Sequence, residues 1–133
     1  MIRDLTEIEV DEIDERLYEV LDDYESQHLR LGIEYGSKII AAIFGRTHAK
    51  DVLSIYGPYV EKEHRGNGYG KALVEELEKK AENLGFAVLR AKTKNGHGED
   101  FYRSAGYEQA GFYEDSALNI REAYFVKMIG ATS

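Results

Sequence analysis

Residues 60–73 read Val-Glu-Lys-Glu-His-Arg-Gly-Asn-Gly-Tyr-Gly-Lys-Ala-Leu, and this stretch decides the fold. It contains the end of a strand, a turn with three glycines at alternate positions, and the start of an amphipathic helix. Glycine leaves the backbone N–H groups unshielded, so a ligand can approach the main chain closely. The first N–H groups of a helix have no partner and lie at the positive end of its dipole. The stretch therefore predicts a binding site for an anion such as phosphate, flanked by Arg65 and Lys71.

The spacing of these glycines does not fit two common nucleotide motifs. A dinucleotide fingerprint requires G-x-G-x-x-G, and a nucleotide P-loop requires G-x-x-x-x-G-K-[ST]. This stretch has G-x-G-x-G instead. On these residues alone, a plain glycine-rich turn before a helix stays open as the alternative to a phosphate site.

Two motifs together support a more specific interpretation. Arg65-x-x-Gly68-x-Gly70 is similar to the acetyl-CoA signature of the GNAT acyltransferases, [QR]-x-x-G-x-[GA]. Further along the chain, residues 95–107 read Asn-Gly-His-Gly-Glu-Asp-Phe-Tyr-Arg-Ser-Ala-Gly-Tyr. They resemble the second GNAT signature, N-x-x-A-x-x-F-Y-x-x-x-G-[FY], with Gly98 where the family usually has alanine. The two motifs stand in the family's order, and the resemblance covers residues 58–113.

The resemblance implies an α/β (α+β) domain of the GNAT fold, with a mixed central β-sheet, a splayed pair of strands and flanking helices. It also implies acetyl-CoA as cofactor and an amine as acetyl acceptor. In the family, the pantetheine arm of the cofactor pairs with the exposed backbone of the splayed strand. The residues expected to bind the cofactor are Tyr59, Val60, Arg65, Gly66, Asn67, Gly68, Tyr69, Gly70, Lys71 and Asn95.

Tyr102 is the candidate catalytic residue. By resemblance it occupies a position where many GNAT enzymes keep a tyrosine near the thioester sulfur. A phenol with a pKa of about 10 stays protonated at neutral pH and can act as general acid to a thiolate whose conjugate acid has a pKa of about 8.5. Its neighbour Phe101 is expected to point toward the core. Taken alone, without the motif around it, Tyr102 would be interpreted first as a core aromatic on a short helix.

The sequence does not identify a general base. The candidates are Glu34, Tyr56, Glu61 and an ordered water, and none of these residues lies in a motif. Glu114 and Asp115 could bind a cationic acceptor, although a plain surface loop is the simpler interpretation. The acceptor class therefore stays open among small-molecule amines, polyamines, peptide N-termini and protein lysines. A catalytically silent acyl-CoA-binding or sensor domain is the alternative to an enzyme.

Length and composition exclude several other classes. A chain of 133 residues predicts a single domain over residues 1–133. The absence of cysteine excludes disulfides and a cysteine nucleophile, and no ligand cluster supports a metal site. The longest apolar run, residues 39–44, is too short to span a bilayer. We therefore expect a cytoplasmic protein without a membrane partner, since the N-terminus also lacks an apolar leader.

The net charge of −8 is concentrated in the first thirty residues, which contain eleven carboxylates and three arginines. The remaining residues carry equal numbers of both signs. We expect no nucleic-acid partner, because such proteins need a basic face. The acidic segment is either a solvated helix face or a rim that attracts a cationic amine. A homodimer through the apolar C-terminal strand, as GNAT domains often form, is compatible with the sequence.

The secondary structure follows from hydrophobic periodicity and turn residues. Residues 6–9 have the form of a capping box, which predicts a helix with an apolar stripe ending at His28. A second helix is predicted at 69–84, with Leu84 on its buried stripe and Gly85 after its end, and a short one at 99–105. Pro58 cannot donate to a ladder, and Gly57 beside it permits a bulge or a close backbone approach in the third strand. The predicted strands are 31–35, 38–46, 51–60, 86–91, 107–113 and 121–129.

Overall fold

One seven-stranded sheet organises the computed structural model, which describes residues 2–6, 9 and 28–130. The sheet has the spatial order β1-β2-β3-β4-β5-β7-β6. All neighbouring strands are antiparallel except β4 and β5, which are parallel. The sheet is therefore mixed, as the sequence implies. Its strands are β1 Ile2–Asp4, β2 His28–Tyr35, β3 Lys38–Ala49, β4 Val52–Val60, β5 Val88–Lys94, β6 Glu108–Asp115 and β7 Ile120–Met128.

Helix α1, Tyr69–Asn83, begins at the glycine turn. Helix α2, Glu99–Ser104, lies within the second motif. Because parallel neighbours need a long crossover connection, α1 joins β4 to β5. A short 3₁₀ turn at Lys62–His64 precedes the glycines. None of the helices in the described part of the chain is long and apolar enough to cross a membrane.

Helix α1 packs on the sheet through Leu73, Val74, Leu77 and Ala81. The prediction that Leu84 belongs to this buried stripe is wrong, because Leu84 is 47% exposed. The helix ends at Asn83, and the chain turns away at Gly85, whose φ is +93°. Leu84 is thereby carried off the apolar face, whereas the prediction that Gly85 terminates the helix is confirmed.

Strand β3 is buried on both faces, as its non-alternating sequence predicts. Residues 40–44 each expose no more than 1% of their surface. Ile43 packs in the core on the α1 side of the sheet, whereas Phe44 packs with Leu5 in a second, smaller core. This arrangement fixes the strand next to the site from both sides.

The N-terminal region confirms the capping box, corrects the prediction for His28 and contains one strand that was not predicted. The backbone N–H of Glu9 donates to Thr6 Oγ1 at 3.3 Å, and that of Thr6 donates to Glu9 Oε1 at 3.1 Å, which is the reciprocal pair of a capping box. The helix predicted beyond it lies outside the described residues. His28 begins β2 opposite Arg46 and does not end a helix. Strand β1 was not predicted, since three residues are too few to show an alternating pattern.

Strands β4 and β5 separate halfway along their length, and this positions the site. They pair only from Val52 with Val88 to Ile55 with Ala91. Beyond these residues β4 continues to Val60 and β5 to Lys94 without pairing with each other. The predicted splayed pair of strands is therefore confirmed.

The cause of the separation is the predicted bulge in β4. Gly57 and Pro58 together stand opposite Ile43 of β3, where the register shifts. Pro58 has no N–H for a ladder, and Gly57 has a φ of +105°. A bulge of this kind bends its strand, which directs the end of β4 away from β5.

Candidate active site

The gap between β4 and β5 opens into a cavity of about 790 Å³. The start of α1 and the cavity-facing side of α2 contribute to its walls, so the two sequence motifs meet there. Asn67 is the one predicted site residue that does not line the cavity. The lining includes Tyr59, Val60, Arg65, Gly66, Gly68, Tyr69, Gly70, Lys71, Asn95 and Tyr102.

The described lining of this cavity is positively charged. Arg65, Lys71, Lys92 and Lys94 contribute to it, and no aspartate or glutamate does. In a chain of net charge −8 this concentration of cations favours an anionic ligand. Lys92 and Lys94 were missed at the sequence level because the predicted strand ended at residue 91, where the apolar pattern stops.

The glycine turn adopts a conformation that exposes its backbone. Gly66 has a φ of +83° and Gly68 a φ of +82°, and residues other than glycine rarely adopt such backbone angles. A Cβ atom at either position would meet nothing within 4 Å, so the surface above them is open. The first bond of α1 runs from Ala72 N–H to Gly68 O, at 3.0 Å. The N–H groups of residues 69–71 therefore precede the helical bonds, as in anion sites at helix N-termini.

Gly70 is needed for space rather than for its backbone angles. A Cβ atom there would lie 3.2 Å from Pro58 Cγ and 3.3 Å from Phe101 Cε1. The first turn of α1 thus packs directly against the bulge in β4 and against α2. This contact brings the three walls of the cavity together.

Two predicted cofactor residues also brace the turn. The Nε of Arg65 donates to the carbonyl of Val60 at 3.0 Å. The Nδ2 of Asn67 donates to the carbonyl of His64 at 3.0 Å. Arg65 still lines the cavity, whereas the side chain of Asn67 is directed back to the preceding turn.

The backbone of β4 faces the gap at Val60. Val60 lies opposite Ala41, and Glu61 N–H donates to Ile40 O at 2.8 Å. In an antiparallel ladder this pattern places Val60 at a non-hydrogen-bonded position, with its N–H and C=O directed away from β3 and toward the gap. Tyr59 occupies the alternate position, so its backbone groups face β3 and its contribution to the cavity is its side chain.

Tyr102 lies where β4 and β5 separate. It is 3% exposed, and its hydroxyl donates to the carbonyl of Gly57 at 2.5 Å. Burial raises the pKa of Tyr102, so the phenol keeps its proton. Phe101 packs against the main core, as expected, but it is only partly buried and also lines the cavity beside Gly70, whereas Tyr102 is buried.

Asn95 makes contacts within the protein. Its N–H donates to the carbonyl of Arg121 at 2.6 Å, and its Oδ1 accepts from the N–H of Arg121 at 3.1 Å. These bonds fasten the loop after β5 to the start of β7. Asn95, expected to bind the cofactor, thus lines the cavity while its amide oxygen accepts a bond from the backbone of Arg121.

The carboxylates considered as general bases lie outside the main cavity. Glu34 pairs with Arg3 at 3.6 Å, and Glu61 pairs with Lys38 at 3.1 Å. Both line a neighbouring cavity of about 320 Å³, which shares Tyr59 with the main one. Neither carboxylate therefore lines the cavity that contains Tyr102.

The main cavity is also not lined by Tyr56, the remaining candidate base, or by Glu114 and Asp115, the residues considered for acceptor binding. Tyr56 packs against the small core that contains Phe44. Glu114 and Asp115 line a separate cavity of about 450 Å³. The Oδ1 of Asp115 accepts the N–H groups of residues 117 and 118, at 3.0 and 3.1 Å, which stabilises the turn before β7.

A parallel strand pair that opens beside a glycine turn, with a basic cavity between the strands, is an arrangement suited to a phosphorylated ligand. Comparison with known proteins identifies the family. The acetyltransferase (GNAT) family matches residues 1–107, and the chain belongs to that family. It is thus an N-acetyltransferase by family, and the acetyl donor of the family is acetyl-CoA.

Solved structures share the fold over the whole chain. An aminoglycoside 6'-N-acetyltransferase complexed with coenzyme A superposes with a TM-score of 0.82 at 14% identity, covering 100% of this chain and 99% of that one. The aminoglycoside 6'-N-acetyltransferase from Enterococcus faecium gives 0.79 at 14% identity, with coverages of 100% and 99%. The ribosomal-protein-S18-alanine N-acetyltransferase from Escherichia coli gives 0.78 at 16%, with 100% and 96%. No curated protein sequence matches the chain.

Proposed function

We propose that this protein transfers the acetyl group of acetyl-CoA to a primary amine, by direct attack of the amine on the thioester. The observation that carries the proposal is the position of Tyr102. Its hydroxyl donates to Gly57 O at 2.5 Å, where the strands separate, and it shares one basic cavity with the glycine turn. A proton donor and an anion site thus face the same long gap.

The residues of the gap fit two parts of acetyl-CoA, its pyrophosphate and its pantetheine arm. The N–H groups at the start of α1 would hold the pyrophosphate, and Arg65 and Lys71 would offset its charge. The backbone N–H of Val60 would hold the pantetheine arm. Holding the thioester close to the amine can supply about 7–11 kcal/mol of the barrier reduction in well-oriented cases, and these contacts would fix the thioester side.

Tyr102 would assist the departure of the sulfur as its general acid. Bound acetyl-CoA supplies an activated acyl carbon in a thioester. The hydroxyl of Tyr102 keeps its proton, and with the cofactor bound it would turn its single hydrogen from the Gly57 carbonyl to the sulfur as the carbon–sulfur bond breaks. Because burial raises the pKa of Tyr102, it is a weaker acid than a free phenol, and partial donation is what it can supply. Hydrogen bonds to charged groups are worth about 1.5–3 kcal/mol, or roughly 10- to 100-fold in rate.

The acceptor would be a small-molecule or peptide amine. An ordered water is the proton acceptor that we propose for it, since Glu34 and Glu61 line a neighbouring cavity. Two of the solved relatives are named for aminoglycosides and for the alanine of a ribosomal protein. These names define the chemistry that a first acceptor panel should cover. A cytoplasmic location and a homodimer stay predictions.

The test is the release of free thiol from acetyl-CoA in the presence of an aminoglycoside, a polyamine or a peptide with an N-terminal alanine. We expect Tyr102→Phe to lower kcat by roughly 10- to 100-fold and to leave the KM for acetyl-CoA unchanged. Tyr35→Phe is the matched control, since Tyr35 is 65% exposed and lies outside the lining of the cavity.

Two outcomes would contradict the proposal. A wild-type rate in Tyr102→Phe would remove Tyr102 from the chemistry. Binding of acetyl-CoA without thiol release on any amine of the panel would favour the catalytically silent acyl-CoA-binding domain.

A further inference from the structure

Helix α2, which carries Tyr102, has only six residues. A helix of this length is not stable by itself, so its position depends on contacts with its surroundings. At its first turn, the buried Glu99 pairs with Arg121 of β7 at 3.4 Å. Just after its last turn, Lys127 of β7 donates to the carbonyl of Ala105 at 3.2 Å. Both ends of α2 are therefore fastened to β7 by charged side chains.

The second of these contacts belongs to a network that reaches α1. The Nζ of Lys127 also donates to Glu78 of α1, at 3.3 Å from Oε1 and 3.2 Å from Oε2. The hydroxyl of Tyr107 donates to the same Oε2 at 2.8 Å. Glu78, Lys127, Tyr107 and the carbonyl of Ala105 form what we call the Glu78 network. It joins α1, β7 and the end of α2 at one point.

The Glu78 network lies directly beside Tyr102. The rings of Tyr107 and Tyr102 meet edge to face at 5.2 Å, and Lys127 Nζ lies 5.5 Å from the centre of the Tyr107 ring. The N–H of Tyr107 also donates to the carbonyl of Tyr102, at 3.0 Å. A shift of Tyr107 or of the end of α2 would therefore move the Tyr102 ring.

We propose that Glu78 and Lys127 are positioning residues, which hold the end of α2 and the Tyr107 ring so that the Tyr102 hydroxyl stays beside Gly57. The inference rests on the proposed function, since it requires Tyr102 to act on the sulfur of the cofactor. The ammonium of Lys127 has three donor hydrogens, and the network offers three acceptor atoms. A cation is also favourable at the C-terminal end of a helix.

The proposal can be tested without knowing the acceptor. In the complex of the protein with coenzyme A, the pKa of the bound thiol follows from the ultraviolet absorbance of the thiolate during a pH titration. A hydrogen bond from Tyr102 stabilises the thiolate and lowers that pKa. We expect Tyr102→Phe to raise the thiol pKa by about one unit or more.

Loss of the network should act in the same direction. Glu78→Gln and Lys127→Met should each raise the thiol pKa by part of the Tyr102→Phe shift, whereas Lys127→Arg should stay close to the wild type. Glu78→Gln separates positioning from direct charge effects, because removal of a negative charge alone would lower the thiol pKa. Lys127→Met added to Tyr102→Phe should have no further effect. Lys79→Met, an exposed lysine on α1, is the control.

The outcomes separate the two levels of the argument. If Glu78→Gln and Lys127→Met lower the melting temperature but leave the thiol pKa at the wild-type value, the network is structural and the inference is overturned. If Tyr102→Phe itself leaves the thiol pKa unchanged, the role of Tyr102 is overturned, and the inference with it. If the wild type does not bind coenzyme A, the proposed function fails first.

Discussion

Tyr102 and Tyr107 each expose only 3% of their surface, and burial raises the pKa of both phenols. For Tyr107, the hydrogen bond to Glu78 and the negative charge of that carboxylate raise the pKa further. Both side chains therefore keep their protons above the pH at which a free phenol ionises, about 10. A fall in activity at alkaline pH would have to come from another group.

The same burial predicts how stability depends on pH. The unfolded chain releases a tyrosine proton above a pKa of about 10, whereas the folded protein retains it. The free energy of unfolding is therefore unaffected below about pH 10 and falls as the pH rises further, by up to about 1.4 kcal/mol per pH unit for each buried phenol. Tyr107→Phe removes one such group, so its alkaline decline should be shallower.

Denaturant unfolding at neutral pH and at about pH 11 measures this difference. Tyr35→Phe, which removes an exposed hydroxyl, should retain the wild-type decline. Equal declines in the wild type and in Tyr107→Phe would show that Tyr107 does not retain its proton through burial.

For individual residues, the sequence predicts which side chains lie in the site better than it predicts their hydrogen-bond partners. The second motif made Tyr102 the candidate proton donor, but its bond to Gly57 joins residues 45 positions apart. The bond from Tyr107 to Glu78 spans 29 positions. Such pairs depend on how the strands and helices pack, and no local pattern records them. Gly98, which departs from the family signature, has a φ of +89° at the start of α2, and glycine suits that conformation.

Among the secondary-structure elements, β4 contributes most to the site, and it predicts a difference between two adjacent amides. The N–H of Tyr59 faces β3, whereas that of Val60 faces the gap. We expect the Val60 amide to exchange with solvent rapidly in the free protein and to become protected when coenzyme A is added. The Tyr59 amide should be protected in both states, which makes it the internal control.

Hydrogen exchange followed by NMR resolves these two amides. A Val60 amide whose exchange rate does not respond to coenzyme A would exclude the end of β4 as the binding edge for the pantetheine arm. Protection that appears at Tyr59 instead would reverse the assignment of the two residues.

Element boundaries were predicted where local chemistry determines them. Gly85 ends α1 as predicted, with its N–H donating to Glu82 O at 3.0 Å and the next N–H donating to Ala81 O at 3.0 Å. The end of β5 was missed, because Lys92 and Lys94 extend the strand without an apolar pattern. Pairing with β7 holds these residues in the sheet, and pairing between distant segments is invisible in a local window.

For the whole molecule, the distribution of charge was only half predictable. The sequence places the excess of negative charge in the first thirty residues. It does not show that four cations converge on one cavity. These are Arg65 of the turn, Lys71 of α1, and Lys92 and Lys94 of β5. Their convergence requires the parallel pairing of β4 with β5 and its end at Ile55. The fold thus creates a basic site in an acidic protein.

The central claim is that the glycine turn and the gap beyond it bind acetyl-CoA, and calorimetric titration of acetyl-CoA tests it most directly. The titration compares the wild type with Gly68→Ala and Asn67→Ala. At a φ of +82°, alanine at position 68 is strained by about 1–2 kcal/mol, so we expect the affinity to fall roughly 5- to 30-fold as the turn relaxes away from its binding conformation. Asn67→Ala removes one exposed bond beside the cavity and should change the affinity much less. No binding by the wild type, or equal losses in the two variants, would contradict the account.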